Sequence, residues 1–147
     1  LKPDNVVMDL KNKGKVYIID FGLAKKYKND GKHIDFKENK SIVGSENFCS
    51  YNVMNGYECS RRDDLISIGY ILLYLFYDKL PWEDGKLTDI LEKKKIKNIL
   101  SGNNSLDSYL KYCYSLNFTG TPNYKKLRDF FDLNDNKLDL KYNLQLT

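Results

Sequence analysis

The sequence predicts an α+β fold that is mainly helical, with a small β-hairpin near the start of the chain. Two short β-favouring runs, residues 6–8 and 16–19, flank a polar turn at residues 11–14, a pattern typical of a hairpin. Farther along, one long apolar run and three stretches of helical periodicity predict helices. With 147 residues, of which 41% are hydrophobic and 14% aromatic, the chain is large and apolar enough for one packed domain.

The predicted helices differ in character. The long one covers residues 65–77, with Ser60 as its cap, and it is apolar nearly all round, so we expect burial on every side. An amphipathic helix is expected over residues 87–99, and a third helix is expected to begin at a Ser105 cap. A fourth would begin at Thr121, with Pro122 in the first helical position. Residues 20–59 show no sustained periodicity.

Composition and cysteine spacing argue against several classes of protein. The net charge of +4 is mild and gives no sign of a nucleic-acid surface. The three cysteines have no C-x-x-C spacing, which disfavours a disulfide framework or a zinc site and favours a reducing compartment. No targeting segment is evident, and the longest apolar run is too short for a membrane span. We therefore expect an intracellular protein, cytoplasmic, nuclear or both, without nucleic-acid or membrane partners.

The residues that carry chemistry lie at the predicted hairpin. Asp20-Phe21-Gly22 follows its second run, and Asn5 directly precedes its first. The D-F-G tripeptide alone is weak, because a strand that ends in a glycine turn gives the same letters. The hairpin, however, would bring Asn5 and Asp20 to the same end of two adjacent strands. A carboxylate and an amide oxygen there suit Mg²⁺ on a triphosphate, as phosphoryl transfer requires, and a generic divalent-ion site is the alternative.

Two further stretches fit a protein-kinase pattern. Residues 1–5, LKPDN, have the form L-x-x-x-N of the second half of a kinase catalytic loop. Lys2 would then reach the transferred phosphoryl group as a point charge. Residues 64–69, DLISIG, resemble the D-x-W-S-x-G start of the central helix in kinase C-lobes. The plainer interpretation of Asp64 is an acid at a helix N-terminus.

Four segments together resemble the casein kinase I family of serine/threonine kinases. They are VYIIDFGLAKKY at 16–27, ENK at 38–40, SRRDDLISIGY at 60–70 and LPW at 80–82. The usual A-P-E motif is missing, and Ser50-Tyr51-Asn52 is similar to the S-x-N pattern of that family. The likeness runs from Leu1 to about Phe131. It implies a protein-kinase-like fold: a partial kinase domain over residues 1–133, consisting of the mainly helical C-terminal lobe, followed by a tail over 134–147.

The resemblance implies roles for residues of the hairpin. Lys2 would contact a phosphate of ATP, and Asn5 and Asp20 would hold Mg²⁺. Val7 and Ile19 would form the apolar floor under the adenine. ATP and Mg²⁺ are therefore the expected cofactors.

The resemblance also implies roles outside the hairpin. Ser45, after Gly44, would contact the catalytic aspartate and lysine through its hydroxyl, and Asp64 would support the catalytic loop through hydrogen bonds to its backbone. The family usually has an arginine where Asn47 stands, so a preference for phosphorylated substrates is in doubt. Family arginines near residues 114 and 117 are absent too, so the third and fourth helices are expected to be held differently. The lysines at 93–95 and 97 could attract acidic substrates, but a solvated helix face is the favoured interpretation.

In the kinase pattern the catalytic aspartate directly precedes the residue that corresponds to Leu1. The resemblance therefore implies that the N-lobe is absent, that the chain alone is inactive, and that its central helix is incompletely covered. The full-length protein is expected to transfer a phosphoryl group from ATP to serine or threonine of a protein substrate, with acidic proteins among the options. The alternative is a non-catalytic pseudokinase or binding module, which the truncation and Asn47 favour. The pattern identifies neither the physiological substrate nor the oligomeric state.

Overall fold

The structure, a computed structural model, describes residues 1–12 and 14–132. Two small antiparallel hairpins come first, and five helices follow. The strands are β1 (Val6–Met8), β2 (Val16–Ile18), β3 (Lys28–Asn29) and β4 (Lys32–His33). The helices are α1 (Tyr51–Met54), α2 (Arg61–Tyr77), α3 (Leu87–Lys93), α4 (Asn104–Ser115) and α5 (Tyr124–Asp132). Within the described residues, the predicted α+β class, mainly helical with a small β-hairpin, is confirmed; the predicted tail at 134–147 lies outside them.

The first hairpin brings the residues on either side of its two strands together at its open end. Strands β1 and β2 are antiparallel, with Val6 opposite Ile18. The carboxylate of Asp9 closes the turn by accepting backbone hydrogen bonds from the turn itself at 2.8 and 3.1 Å. Pairing continues one residue past the strands, because Ile19 donates its N–H to the Asn5 carbonyl at 2.9 Å. Residues just outside both strands therefore lie side by side.

Helix α2 forms the centre of the core. It begins after Ser60, as predicted, and the Asp63 carboxylate accepts the Ser60 backbone N–H at 2.8 Å. Ile66 and Tyr70 are completely buried. In the last turn Leu75 is 46% exposed and Tyr77 49%, so the expectation of burial on every side is wrong there, and that of an incompletely covered central helix fits. Among the described residues, no helix combines the length and the apolar character needed to cross a membrane.

Helices α2 and α4 approach each other most closely at Gly69. A Cβ atom on Gly69 would lie 2.5 Å from Cδ2 of Leu110 and 3.2 Å from the ring of Tyr109. The Tyr109 hydroxyl also donates a hydrogen bond to the Leu65 carbonyl at 2.9 Å. Contact at this distance requires a residue without a side chain, which explains the glycine in a helix that otherwise carries bulky apolar residues.

Two predicted helix starts are wrong by a few residues. Helix α4 is capped by Asn103, whose side chain accepts the N–H of Leu106 at 3.1 Å, and not by Ser105. Helix α5 begins at Tyr124, after Asn123 has accepted the N–H of Lys126 at 3.0 Å. In both places an asparagine side chain is positioned to satisfy a free backbone donor, and asparagine is among the strongest capping residues.

The predicted amphipathic helix over residues 87–99 is also interrupted. Helix α3 ends at Lys93, and a single 3₁₀ turn follows at Ile96–Asn98. The break occurs at Lys94, whose side chain is completely buried. Residues 20–59 contain β3, β4 and α1, which are too short, at two to four residues each, to produce a periodic signal.

Replacing Gly69 by alanine tests the close contact of α2 and α4. We expect the free energy of unfolding to fall by about 1–3 kcal/mol, because the new methyl group overlaps Leu110. In a Leu110→Ala background the same change should cost much less, because the overlapping Cδ2 atom is gone. Urea denaturation of the four proteins of this double-mutant cycle measures the coupling. Additive effects of the two substitutions would contradict the contact.

Candidate active site

Asn5 and Asp20 lie at the open end of the first hairpin. Asn5 ends the 3₁₀ turn before β1, and Asp20 directly follows Ile19, whose N–H pairs with Asn5. Asp20 has a φ of 61°, a left-handed conformation that aspartate adopts more readily than most residues. Its Oδ1 atom accepts the N–H of Gly22 at 3.2 Å. The two side chains thus start from neighbouring positions at one end of the sheet, as the sequence pattern predicts; their role as metal ligands stays a prediction.

The other hairpin residues with predicted roles are accessible. The Lys2 side chain is 45% exposed, and its Nζ lies 3.3 Å from Oδ2 of Asp4. Val7 is 38% exposed and Ile19 44%. Val7, in β1, and Ile19, directly after β2, leave apolar surface on the hairpin; their role as an adenine floor stays a prediction.

Ser45 lies in a tight turn that follows Gly44. Gly44 has a φ of 97°, which only glycine adopts without strain. The carbonyl of Ser45 accepts the N–H groups of Phe48 at 3.0 Å and Cys49 at 2.8 Å, so residues 45–49 are compact. Within the described residues, no hydrogen bond joins Ser45 to Asn5 or Asp20. The structure therefore brings the hairpin residues together but does not join Ser45 to them.

Asp64 lies in the first turn of α2. Burial raises the pKa of its carboxyl. The role that the sequence pattern gives it, support of the LKPDN stretch, stays a prediction. Within the described residues, no hydrogen bond joins the Asp64 side chain to that stretch.

Residues 1–131 match the family model described as the protein kinase domain, which is most of the 147-residue chain. The chain belongs to the protein kinase family. This confirms the coarser part of the prediction, namely a kinase and therefore a transferase acting on protein substrates. As a family, protein kinases use ATP and Mg²⁺.

Asp63, rather than Asp64, is the residue whose importance sequence reasoning missed. It is 1% exposed, and its Oδ1 accepts hydrogen bonds from Ser50 Oγ at 2.6 Å and Asn52 Nδ2 at 3.0 Å. Its Oδ2 accepts the Ser60 N–H and lies 3.7 Å from Nε of Arg62. The S-x-N pattern and the acidic pair before α2 are thus two halves of one buried site, and their joint presence was the available signal.

Arginines at the start of α2 hold the connection between α4 and α5. Arg61 donates to the carbonyls of Thr119 at 3.2 Å and Gly120 at 3.1 Å, and its guanidinium lies 4.5 Å from the centre of the Tyr27 ring. Arg62 donates to the Leu116 carbonyl at 3.1 Å. These bonds show how the connection is held in a chain without the family's arginines near residues 114 and 117.

A second buried acid, Glu58, joins separate parts of the segment that leads from Asp20 to α2. Its Oε1 accepts a hydrogen bond from Nζ of Lys25, and Oε2 lies 4.0 Å from Nζ of Lys40. Its backbone N–H also donates to the Lys37 carbonyl at 2.8 Å. The hydrogen bond from Lys25 holds the pKa of Glu58 below its ordinary value, opposed by desolvation. One carboxylate thus holds both ends of this irregular segment.

The lysine cluster at 93–95 and 97 is the solvated face that the sequence favoured, except at Lys94. Lys93 and Lys97 are exposed, and Lys95 pairs with Glu92 at 2.5 Å. The Lys97 ammonium lies 4.0 Å from the same glutamate. For Lys94 the prediction is wrong, because its side chain is completely buried at the end of α3.

Acidification should weaken the Glu58 contacts. Because the folded-state pKa lies below the ordinary 4.5, the carboxylate stabilises the folded state above about pH 4.5, and this contribution is lost as pH falls through the folded value. The wild type should therefore exceed Glu58→Gln in free energy of unfolding near neutral pH, and the gap should shrink below about pH 4. Urea denaturation across this range measures it, with Glu38→Gln, an exposed glutamate, as the control. A gap that is independent of pH would contradict the ion pairs.

Replacing Asp63 by asparagine should lower the free energy of unfolding by about 2–3 kcal/mol. The amide nitrogen cannot accept the Ser60 N–H, so a buried donor is left unsatisfied. Asp64→Asn is the matched control, and we expect it to be close to neutral for stability, because burial disfavours the charge of Asp64. Urea denaturation of both variants provides the comparison. Equal losses would mean that Asp63 is not the central acceptor.

Proposed function

We propose that this chain supplies the metal- and phosphate-binding residues of a serine/threonine protein kinase similar to casein kinase I. The observation that carries the proposal is the placement of Asn5 and Asp20 at one end of a hairpin, in a chain that belongs to the kinase family. A generic divalent-ion site accounts for two oxygen ligands, but not for a chain that matches a kinase over residues 1–131.

The residues present fit a complex of ATP with Mg²⁺. Mg²⁺ prefers carboxylate and amide oxygens and keeps the remaining positions for water and phosphate. Oδ1 of Asp20 is used by the Gly22 N–H, whereas Oδ2 makes no hydrogen bond within the described residues. Asp20 is also exposed, so a ligand can reach it. Val7 and Ile19 offer the apolar surface on which an adenine ring would lie.

Each residue of the proposed site has a distinct task. When bound, Mg²⁺ neutralises the charge of the triphosphate that it bridges. Asn5 and Asp20 would hold the metal, and the ammonium of Lys2 would orient the phosphoryl group as a point charge. The hydroxyl of Ser45 would hold Lys2 and the catalytic aspartate in position. Asp64 would keep residues 1–5 in place from α2.

The finer family assignment is supported by the Asp63 site. Its partners, Ser50 and Asn52, are the residues of the S-x-N pattern, and Asp63 belongs to the R-R-D-D run. A buried carboxylate with these donors gives a physical reason for two features that resemble casein kinase I. We therefore propose serine or threonine as the acceptor. We also propose a kinase domain over residues 1–133. The absence of C-x-x-C spacing among the cysteines supports an intracellular location.

An acidic protein substrate is supported by lysines beside the second hairpin. Lys25, Lys26, Lys32 and Lys37 line a cavity of about 430 Å³, together with the acids Asp35 and Glu58. Glu58 already pairs with Lys25, so three lysines face a single remaining carboxylate. Because Asn47 carries no charge, this cavity is a candidate for attracting acidic side chains.

The test is phosphorylation of casein by the longest natural protein that contains these residues. We expect ATP-dependent activity that is lost in Asp20→Ala, because the metal loses its carboxylate ligand. Glu38→Ala, which removes an exposed acid of the same segment that does not line the cavity, is the control and should retain most of the activity. Unchanged activity in Asp20→Ala would rule out the proposed metal role.

The coding sequence before Leu1 separates the enzyme from the alternative. Codons for H-R-D directly upstream, with a glycine-rich loop farther upstream, would support catalysis. Another residue in place of that aspartate, together with a wild type that transfers no phosphate, would favour the non-catalytic binding module.

A further inference from the structure

The ammonium of Lys94 is buried against the segment that contains Ser45. Lys94 is completely inaccessible, and its Nζ donates hydrogen bonds to the carbonyls of Glu46 at 2.5 Å and Cys49 at 2.6 Å. The same ammonium lies 5.0 Å from the centre of the Tyr70 ring and 5.3 Å from that of Trp82. All its close partners are therefore neutral oxygens and ring faces.

Packing alone does not account for this lysine. Burial lowers the pKa of Lys94 to about 8, which means that the protein destabilises the charged form. A methionine would fill nearly the same volume without desolvation of a charge. What the ammonium adds is two hydrogen bonds, both directed to the backbone of residues 46–49.

The backbone of Lys94 is itself held in place. The Tyr114 hydroxyl donates to the Lys94 carbonyl at 2.6 Å. Since that hydroxyl has used its proton, Tyr70 must donate to it in the hydrogen bond between the two tyrosines. Lys94 is thus fixed at its carbonyl by α4 and α2, and its ammonium is available to fix a third part of the chain.

Trp82 holds the same segment at the carbonyl of the next residue, Asn47. Its Nε1–H donates to the Asn47 carbonyl at 2.9 Å, and its ring packs edge-on against Tyr70 at 4.7 Å. The carbonyls of Glu46, Asn47 and Cys49 therefore all bond to side chains of the core. The side chain of Glu46 remains exposed. The segment is attached by its backbone, so its position does not depend on which side chains it presents to solvent.

We propose that Lys94 is a positioning residue for the protein substrate, which acts by holding residues 45–49 in the place from which Ser45 and its neighbours contact the reacting groups. The proposal rests on the proposed function, because it takes Ser45 to lie beside the catalytic lysine. Lys94 touches no substrate itself. It acts only through the carbonyls of Glu46 and Cys49, which are 48 and 45 positions away in the sequence.

The first arm of the test measures hydrogen exchange in this chain and needs no activity. Lys94→Met removes the two donors and keeps the apolar stem, whereas Lys93→Met, at the exposed neighbour, is the matched control. We expect amides of residues 45–50 to exchange at least about tenfold faster in Lys94→Met, with α4 unchanged. Trp82→Phe, which removes the single donor to Asn47, should have a smaller effect on the same amides. Unchanged exchange at 45–50 in a folded Lys94→Met protein would overturn the proposal.

The second arm measures kinetics in the longest natural protein that contains these residues. We expect Lys94→Met to lower kcat/KM for the protein substrate by about tenfold or more, mainly through a higher KM, with the KM for ATP unchanged. Lys94→Arg should recover part of the loss, because a guanidinium can donate to both carbonyls. A fall in kcat alone, with both KM values unchanged, would indicate a purely structural residue and overturn the proposal.

The two arms separate failure of this inference from failure of the proposed function. If the wild type transfers no phosphate to casein, the proposed function is wrong and the substrate role of Lys94 is wrong with it, even where exchange at 45–50 becomes faster. If the wild type is active and Lys94→Met matches Lys93→Met in exchange and kinetics, only the present inference is overturned.

Discussion

The carboxylate of Asp63 is buried at the point where the irregular part of the chain meets the central helix. Removing such a charge from water costs several kcal/mol, and the cost is offset only if every acceptor site of the carboxylate is used. Ser50, Asn52 and Ser60 provide the donors, with Arg62 close by. Loss of any of these four residues would lower the free energy of unfolding. The need to satisfy this buried carboxylate joins helix α1, the residues that precede α2 and the start of α2 into one unit.

Buried polar groups, rather than regular structure, position the segment between Asp20 and α2. Buried backbone donors and acceptors need partners, and this segment has few of its own. Glu58 binds Lys25 and Lys40, while Lys94 and Trp82 bind carbonyls at 46–49. Lys94 and Trp82 belong to another part of the chain, whereas Glu58 joins lysines of the segment itself. A segment attached in this way keeps a defined course while its exposed side chains remain available for a substrate.

The sequence predicts well those parts of the molecule whose interactions join residues that are close along the chain. The first hairpin and the start of α2 depend on residues close in sequence, so alternation, turn residues and capping preferences were sufficient. Lys94 depends on carbonyls 48 and 45 positions away. In its local context, among Lys93, Lys95 and Lys97, it has the pattern of a solvated surface, and no periodicity distinguishes the one lysine that turns inward.

The same distinction applies to the candidate site. Asn5 and Asp20 are neighbours because of a hairpin register that a short turn determines, and a slip of one residue would reverse the face of every side chain in one strand. That half of the site is encoded within about twenty residues. In the proposed arrangement Ser45 depends instead on the buried anchor Lys94, which bonds to the carbonyls of Glu46 and Cys49 and contacts no nucleotide. Loss of that anchor would displace residues 45–49 while Asn5 and Asp20 stayed where the hairpin puts them.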